Sequence, residues 1–415
     1  MNQSIAVGRA RGNWLRVLAA LGPGLIVMLA DTDAGSIITA AQSGAQWGYK
    51  LLIWQILLIP VLYIVQELTV RLGLVTGRGH GELIRERFGL HWAWLSAGTL
   101  AIACVGALVT ELSGLAGVGR LFGIPAWETM TLTIGGLLIM IWTASYRSVE
   151  RVAVAFGAFE LVFVYIALQA DPDAGALAAG LHDIPLANHD YLYLVTANIG
   201  AVIMPWMVFF QQSAVVEKDL GPETLTVARR ETAVGAVVTQ VVMAAVLVSA
   251  AATIGKNGSH ASLDTVEQIS DTLIPFLGRS IGRTVFILGM SGAAMVATIV
   301  VALTAAWGIG EVAGYRRSLA DHPREAPWFY GIVTACLLLG GALVASGVNL
   351  IALSVAVQVV NALLLPIVLG FLFALARKAL PERYRLKGFY ALLTGVVLAL
   401  TAGFGFVSGI IGILG

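Results

Sequence analysis

Asp31-Thr32-Asp33-Ala34-Gly35-Ser36 interrupts the first long apolar stretch of this chain. Leu25-Ile26-Val27-Met28-Leu29-Ala30 precedes it and Ile37-Ile38-Thr39-Ala40-Ala41 follows. One carboxylate at bilayer depth costs roughly 2.5–3.5 kcal/mol on insertion scales, and about 10 or more in simulations. Two acids within three residues, beside a Gly-Ser step, therefore point to an unwound helix lining a water-filled cavity. A polar kink satisfied by neighbouring helices is the alternative reading. A cation site is the reading these residues favour.

The rest of the chain supports a bilayer setting. Hydrophobic residues make up 58% and charged residues 12%, with a mean hydropathy of +0.86. Soluble domains carry about a quarter charged residues. Apolar runs long enough for a hydrocarbon core recur throughout. They predict eleven membrane helices near 17–45, 49–75, 93–118, 126–145, 150–169, 191–214, 231–255, 284–311, 328–347, 350–376 and 388–412. The polar connections near 170–190 and 256–282 are loop-sized, so no soluble domain is expected. With the N-terminus in the cytoplasm, all Lys and Arg except Lys50, Arg120, Lys256, Arg279 and Arg283 fall in cytoplasmic segments, 20 of 25. This positive-inside bias sets the orientation and, with an odd helix count, puts the C-terminus outside. The basic N-terminus leads into a helix too long for a signal peptide, so none is expected. Cys104 and Cys336 lack metal-ligand spacing and are expected to pack in helices.

A second interruption lies five helices after the first, at Asn198-Ile199-Gly200-Ala201-Val202-Ile203-Met204-Pro205-Trp206. Proline removes an intrahelical hydrogen bond and frees an upstream carbonyl, and Gly200 adds backbone freedom. Breaks in helices 1 and 6 are what two inverted five-helix repeats produce, with a substrate site between them. The expected architecture is all-α, with repeats at about 17–169 and 191–376 and an additional helix at about 388–412. Asp33 and Asp31 offer hard carboxylate oxygens, Ser36 a hydroxyl, Ala201 a freed carbonyl and Met204 a thioether. Carboxylates and carbonyls suit Mg²⁺ and similar hard ions, whereas the thioether suits softer transition metals. Met204 as an apolar packing residue is the equal alternative. On fold grounds alone, Na⁺-coupled uptake of a small organic solute also stays open.

These motifs resemble those of the NRAMP family (natural resistance-associated macrophage proteins) of divalent metal transporters. Counting back from Gly48-Tyr49-Lys50 sets Asp33-Ala34-Gly35-Ser36 on the family's Asp-Pro-Gly-Asn motif. Gly77-Arg78 and Glu82-Leu83-Ile84-Arg85-Glu86-Arg87-Phe88 resemble its loop after helix 2. Gly200-Ala201-Val202-Ile203-Met204-Pro205-Trp206 resembles its Gly-Ala-x-x-Met-Pro-His motif. The resemblance implies a LeuT-like fold, eleven or twelve helices, and metal binding between the broken helices. The departures matter as much. Ser36 replaces Asn, Ala34 replaces Pro, and Trp206 and Gln211 replace two His. In helix 3, Leu108 replaces the Asp of an Asp-x-x-Glu pair whose Glu is Glu111. Trp, Gln and Leu do not titrate near neutral pH. This pattern is similar to the bacterial NRAMP-related magnesium transporters, which implies Mg²⁺ and Mn²⁺ passage without proton coupling.

Further polar residues lie in apolar helices. Glu160 and Glu111 are either pathway residues or buried partners of neighbouring helices. Gln358 and Asn361 in helix 10 either face the site or join helices. Gln42, Gln46, Gln211 and Gln212 are expected along aqueous approaches. All six His are expected in solvent. Asp171, Asp173 and Asp183, read as having no Lys or Arg nearby, either give the outer mouth a weak cation-attracting field or form ordinary solvated loop, the reading favoured here. No cofactor, nucleic-acid partner or obligate protein partner is implied; the expected partners are a divalent cation and the lipid of a bacterial inner membrane. Besides the Mg²⁺/Mn²⁺ carrier, a proton-coupled Mn²⁺/Fe²⁺ carrier and a non-transporting metal sensor remain as alternatives. No nucleophile–base or metal–His constellation suggests an enzyme.

Overall fold

The computed structural model describes residues 23–143, 158–254, 262–271, 278–319, 321–347 and 349–414. Every one of the eleven expected segments contains helix there. The first is split into α1 (Pro23–Asp31) and α2 (Ala34–Trp47), followed by α3 (Leu52–Thr76). A short helix α4 (His80–Phe88) leads into α5 (Leu90–Leu121) and α6 (Ala126–Thr143). The fifth segment appears as a 3₁₀ turn, Ala158–Leu161, and α7 (Val162–Gln169); positions 150–157 lie outside the described residues, as do 17–22 of the first segment. The loop expected near 170–190 carries a short helix, α8 (Ala174–His182). Asp173 caps it by accepting from the amides of Gly175 and Ala176.

The sixth segment is also split, into α9 (His189–Val202) and α10 (Pro205–Glu217). Then come α11 (Leu225–Thr253), a six-residue helix α12 (Val266–Asp271), and α13 (Arg279–Ala313). The series ends with α14 (Pro327–Ala345), α15 (Leu350–Lys378) and α16 (Gly388–Leu414). Among the described residues nine stretches are long and apolar enough to cross a membrane. The first, Ala34–Thr76, has 43 residues and turns at Gly48–Leu51, so it holds parts of two crossings.

The packing follows the two-repeat plan. α2 lies along α11, and the counterpart contact, α10 along α3, is also extensive. α5 and α13, counterparts of each other, form another broad contact near the centre. Both broken helices are almost wholly buried, whereas α6 and α16 expose large apolar side chains such as Leu132, Ile139, Leu400 and Leu414. Those faces suit lipid, where only a helix with all its backbone bonds internal can stand.

Candidate metal site between the broken helices

Both breaks fall where the sequence places them. Asp33 ends the first interruption in extended conformation (φ −77°, ψ 173°) and caps α2, its Oδ1 accepting from the Ser36 amide at 2.6 Å. At the second, Ile203 and Met204 leave the helix and Pro205 opens α10 at its first turn. Proline suits that position because the amide it lacks would have had no intrahelical acceptor. The two breaks meet: Ser36 Oγ donates to the Ala201 carbonyl at 3.0 Å. Asp33, Ser36, Ala201 and Met204 are all buried, so three of the expected ligands are joined directly. Met204 Sδ accepts from Trp206 Nε1 at 3.2 Å. The thioether therefore faces the family's former His position.

Gln358 of α15 wedges between the breaks. A Cβ on Gly35 would come within 2.3 Å of Gln358 Nε2, and one on Gly200 within 1.8 Å of the Gln358 carbonyl. Glycine at both positions is what lets α15 approach so closely. Gln358 accepts from Asn361 Nδ2 at 2.9 Å, while its own amide nitrogen has no partner. Gln211 is also buried, with neither amide atom partnered.

The acids gather at the first break. Glu111 accepts from the Ala34 amide at 3.0 Å and from Thr110 Oγ1 at 3.2 Å. Its carboxyl also reaches that of Asp33. Geometry alone leaves Asp33 Oδ2 without a donor, and a proton held between the two carboxyls would supply one. Glu111 is thus not the isolated acid that the loss of the helix-3 Asp suggested, because its neighbour comes from another helix. Glu160 accepts from Thr32 Oγ1 at the same break, and Asp31 lies beside them, buried, with both oxygens unpartnered. Among the described residues no group of three or more His, Cys, Asp and Glu side chains is arranged to enclose a metal. An ion at the breaks would rest on one anchoring carboxylate plus neutral donors, a set that leaves room for water ligands.

A cavity of about 690 Å³ opens on the face that the charge distribution puts outside, lined by Gln42, Gln46, Asp190, Ser262, Asp264 and Asn349 among others. Gln42 holds the rim, donating to Ser262 Oγ and accepting from the Leu263 amide. On the opposite face the described residues are tied together by hydrogen bonds. There Glu311 accepts from the Gly81 amide at 2.8 Å and from Ser213 Oγ at 2.6 Å, while Gln212 donates to the Arg78 carbonyl.

Several polar residues differ from their sequence-based assignments. His80 is fully buried, bonded through Nδ1 to Gln212 Oε1 and edge-on to Phe209. Burial holds its imidazole down at about pKa 4, against an opposing effect of the Gln212 bond. A position in a polar loop gave no hint of the helices covering it. Asp183 pairs with Lys50 at 2.7 Å, so that loop does have a basic partner. Arg71 is buried in a bidentate pair with Glu67, which Arg229 also joins at 2.7 Å. Glu67 and Glu311 escaped notice, although each is an acid inside an apolar run and could have been found by that rule. Cys104 and Cys336 are free and at least partly buried, in keeping with packing. His260 lies outside the described residues.

Known proteins resemble the chain in both sequence and fold. A divalent metal cation transporter of Brucella suis biovar 1 is 26% identical over 302 residues, covering 70% of this chain and 66% of the relative. The manganese transporter of Eremococcus coleocola, crystallised with an aromatic bis-isothiourea compound, superimposes with a TM-score of 0.73. It is 19% identical and matches 100% of this chain and 91% of its own. MhsT in complex with L-phenylalanine matches 95% of this chain and 98% of its own at 13% identity, with a TM-score of 0.60. The fold is thus the LeuT-like one. A family model described as natural resistance-associated macrophage protein-like matches residues 24–410, and the chain belongs to the NRAMP family.

Proposed function

We propose that this protein carries divalent metal cations, Mg²⁺ as well as Mn²⁺, across a bacterial cytoplasmic membrane by alternating access, without obligatory proton coupling and without a cofactor. Its N-terminus lies inside and its C-terminus outside. The observation that carries the proposal is the meeting of the two breaks through Ser36 and the Ala201 carbonyl, beside the buried Asp33 carboxylate. Half-helix ends and the Asp33 carboxylate at bilayer depth are suited to a cation, and a buried carboxylate there is costly without one. Ser36 in place of a longer amide favours a partly hydrated ion, the form in which Mg²⁺ is usually held. Relatives named as divalent metal cation transporters support the substrate class.

One observation favours a second reading, a proton-coupled Mn²⁺ carrier: Glu111 reaches Asp33 and could pass a proton as the ion arrives. Proteoliposome uptake of Mg²⁺ and Mn²⁺, read together with lumenal pH, decides between them. Uptake without acidification, unaffected by an imposed pH gradient, supports the uncoupled carrier. Acidification that Glu111→Gln abolishes selects the coupled one. Asp33→Ala is expected to abolish uptake of both ions, and full activity in a well-folded Asp33→Ala variant overturns the site. Ion binding with no flux in any condition would leave a sensor.

A further inference from the structure

We infer that Asp31, Glu160 and Thr32 form a second cation site, separate from the one at Asp33 and on the side of the break away from the outer cavity. It rests on the carrier reading only for the identity of the ion, a hard divalent cation.

Asp31 closes α1, where unsatisfied carbonyls make the helix end negative. A carboxylate there is the wrong sign for the helix dipole, yet both of its oxygens are buried and accept no hydrogen bond. Glu160 stands on the 3₁₀ turn facing this end, 1% exposed. One of its oxygens accepts from Thr32 Oγ1 and the other has no partner. Asp31 is the chain neighbour of Thr32, whose hydroxyl Glu160 accepts. Among the described residues neither Asp31 nor Glu160 takes part in an ion pair with Lys, Arg or His. Two such carboxyls at a helix C-terminus, without a basic partner, can stay ionised only where a cation joins them.

The surroundings fit that guest. A void of about 20 Å³ is lined by Thr32 and Glu160 with Met28, Gly235, Thr239 and Val242, enough for one water-sized body. Gly235 keeps α11 close, since a Cβ there would meet Met28 Cγ at 2.5 Å. Thr239 occupies the Met28 carbonyl at 2.9 Å, and the Leu29 carbonyl lies within reach of Thr32. The polar donors at hand are oxygens, with the Met28 thioether beside them and no imidazole, a set that suits Mn²⁺ as well as Mg²⁺ or Ca²⁺. Because the outer cavity lies at the other end of α2, an ion entering from it meets Asp33 first and Asp31–Glu160 second. The second site is thus a way-station on the inward path.

The test is Mn²⁺ stoichiometry on the full-length purified protein, read from loss of the free-Mn²⁺ electron paramagnetic resonance signal. The wild type is expected to bind two ions per chain. Asp33→Ala, Glu160→Gln and Asp31→Asn should each bind one, and Asp33→Ala/Glu160→Gln none. Should Glu160→Gln not fold, Asp31→Asn carries the same comparison with a side chain of equal size. Stoichiometry unchanged by both Glu160→Gln and Asp31→Asn overturns the second site. A wild type whose only ion is lost with Asp33→Ala overturns it while leaving the first site standing, and a wild type that binds no Mn²⁺ overturns both.

Discussion

Asp33 has two roles that one substitution can separate. Its Oδ1 caps α2 through the Ser36 amide, a contribution of about 1 kcal/mol, and in the proposed carrier its charge anchors the ion. Asparagine caps a helix about as well as aspartate. Asp33→Asn should therefore keep a thermal midpoint near wild type while losing uptake, a split that thermal melts and liposome flux would reveal. Met204 presents a similar separation. Its sulfur accepts from Trp206 Nε1, so Met204→Ala removes both a soft ligand and the acceptor of a buried N–H. Mn²⁺ uptake should fall several-fold more than Mg²⁺ uptake, because hard Mg²⁺ gains little from sulfur; equal losses would make Met204 a packing residue. At this scale the two breaks and the residues beside them were legible in sequence, since a carboxylate beside a Gly-Ser step and a Pro preceded by Met are local signals. The neighbours of those ligands were not. Thr32 meeting Glu160, and Glu111 meeting Asp33, join residues 128 and 78 positions apart, and no spacing rule reaches that far.

The elements were more legible than the residues. Breaks in the first and sixth helices lie within a residue or two of where charge and proline put them, because a split membrane helix needs local chemistry to end one half and start the next. The helices α4, α8 and α12 were missed, being short and without a long apolar run. The close approach of α15 to both breaks was hidden too, since it depends on what two glycines lack. It gives a prediction with a rank order. Gly200→Ala would push a Cβ into the Gln358 backbone carbonyl, whereas Gly35→Ala meets the mobile end of its side chain. Overpacking typically costs about 1–3 kcal/mol, and the backbone clash should sit at or above the top of that range. Gly200→Ala is expected to lower the melting temperature more than Gly35→Ala; the reverse order would mean that α15 does not pack as described.

For the molecule as a whole, the two faces are held differently. One face encloses a cavity, whereas on the opposite face α4 packs over the helices, with His80 buried against Gln212 and Phe209 and Glu311 on the backbone beside it. The unfolded chain binds a proton at His80 near pH 6.5 and the folded protein only near 4. Stability is thus fully present above about 6.5 and falls as pH drops toward 4, by up to roughly 3 kcal/mol for so buried a group. Melting curves at pH 7 and pH 5 should differ, and His80→Gln should flatten the difference; an identical pH slope in the variant would remove His80 as its cause. The hydrogen bond from Ser36 to Ala201 reaches across the same body, joining the two halves at their centre. Its proton points at the carbonyl, so the hydroxyl can offer an ion only its lone pairs, and the carbonyl's response to the ion depends on that bond. The C=O group of Ala201 is in effect a built-in vibrational gauge. With ¹³C=¹⁸O placed at that one peptide, its infrared band should move when Mn²⁺ is added and move again with Ser36→Ala, a readout of the joint between the halves that requires no ion flux at all.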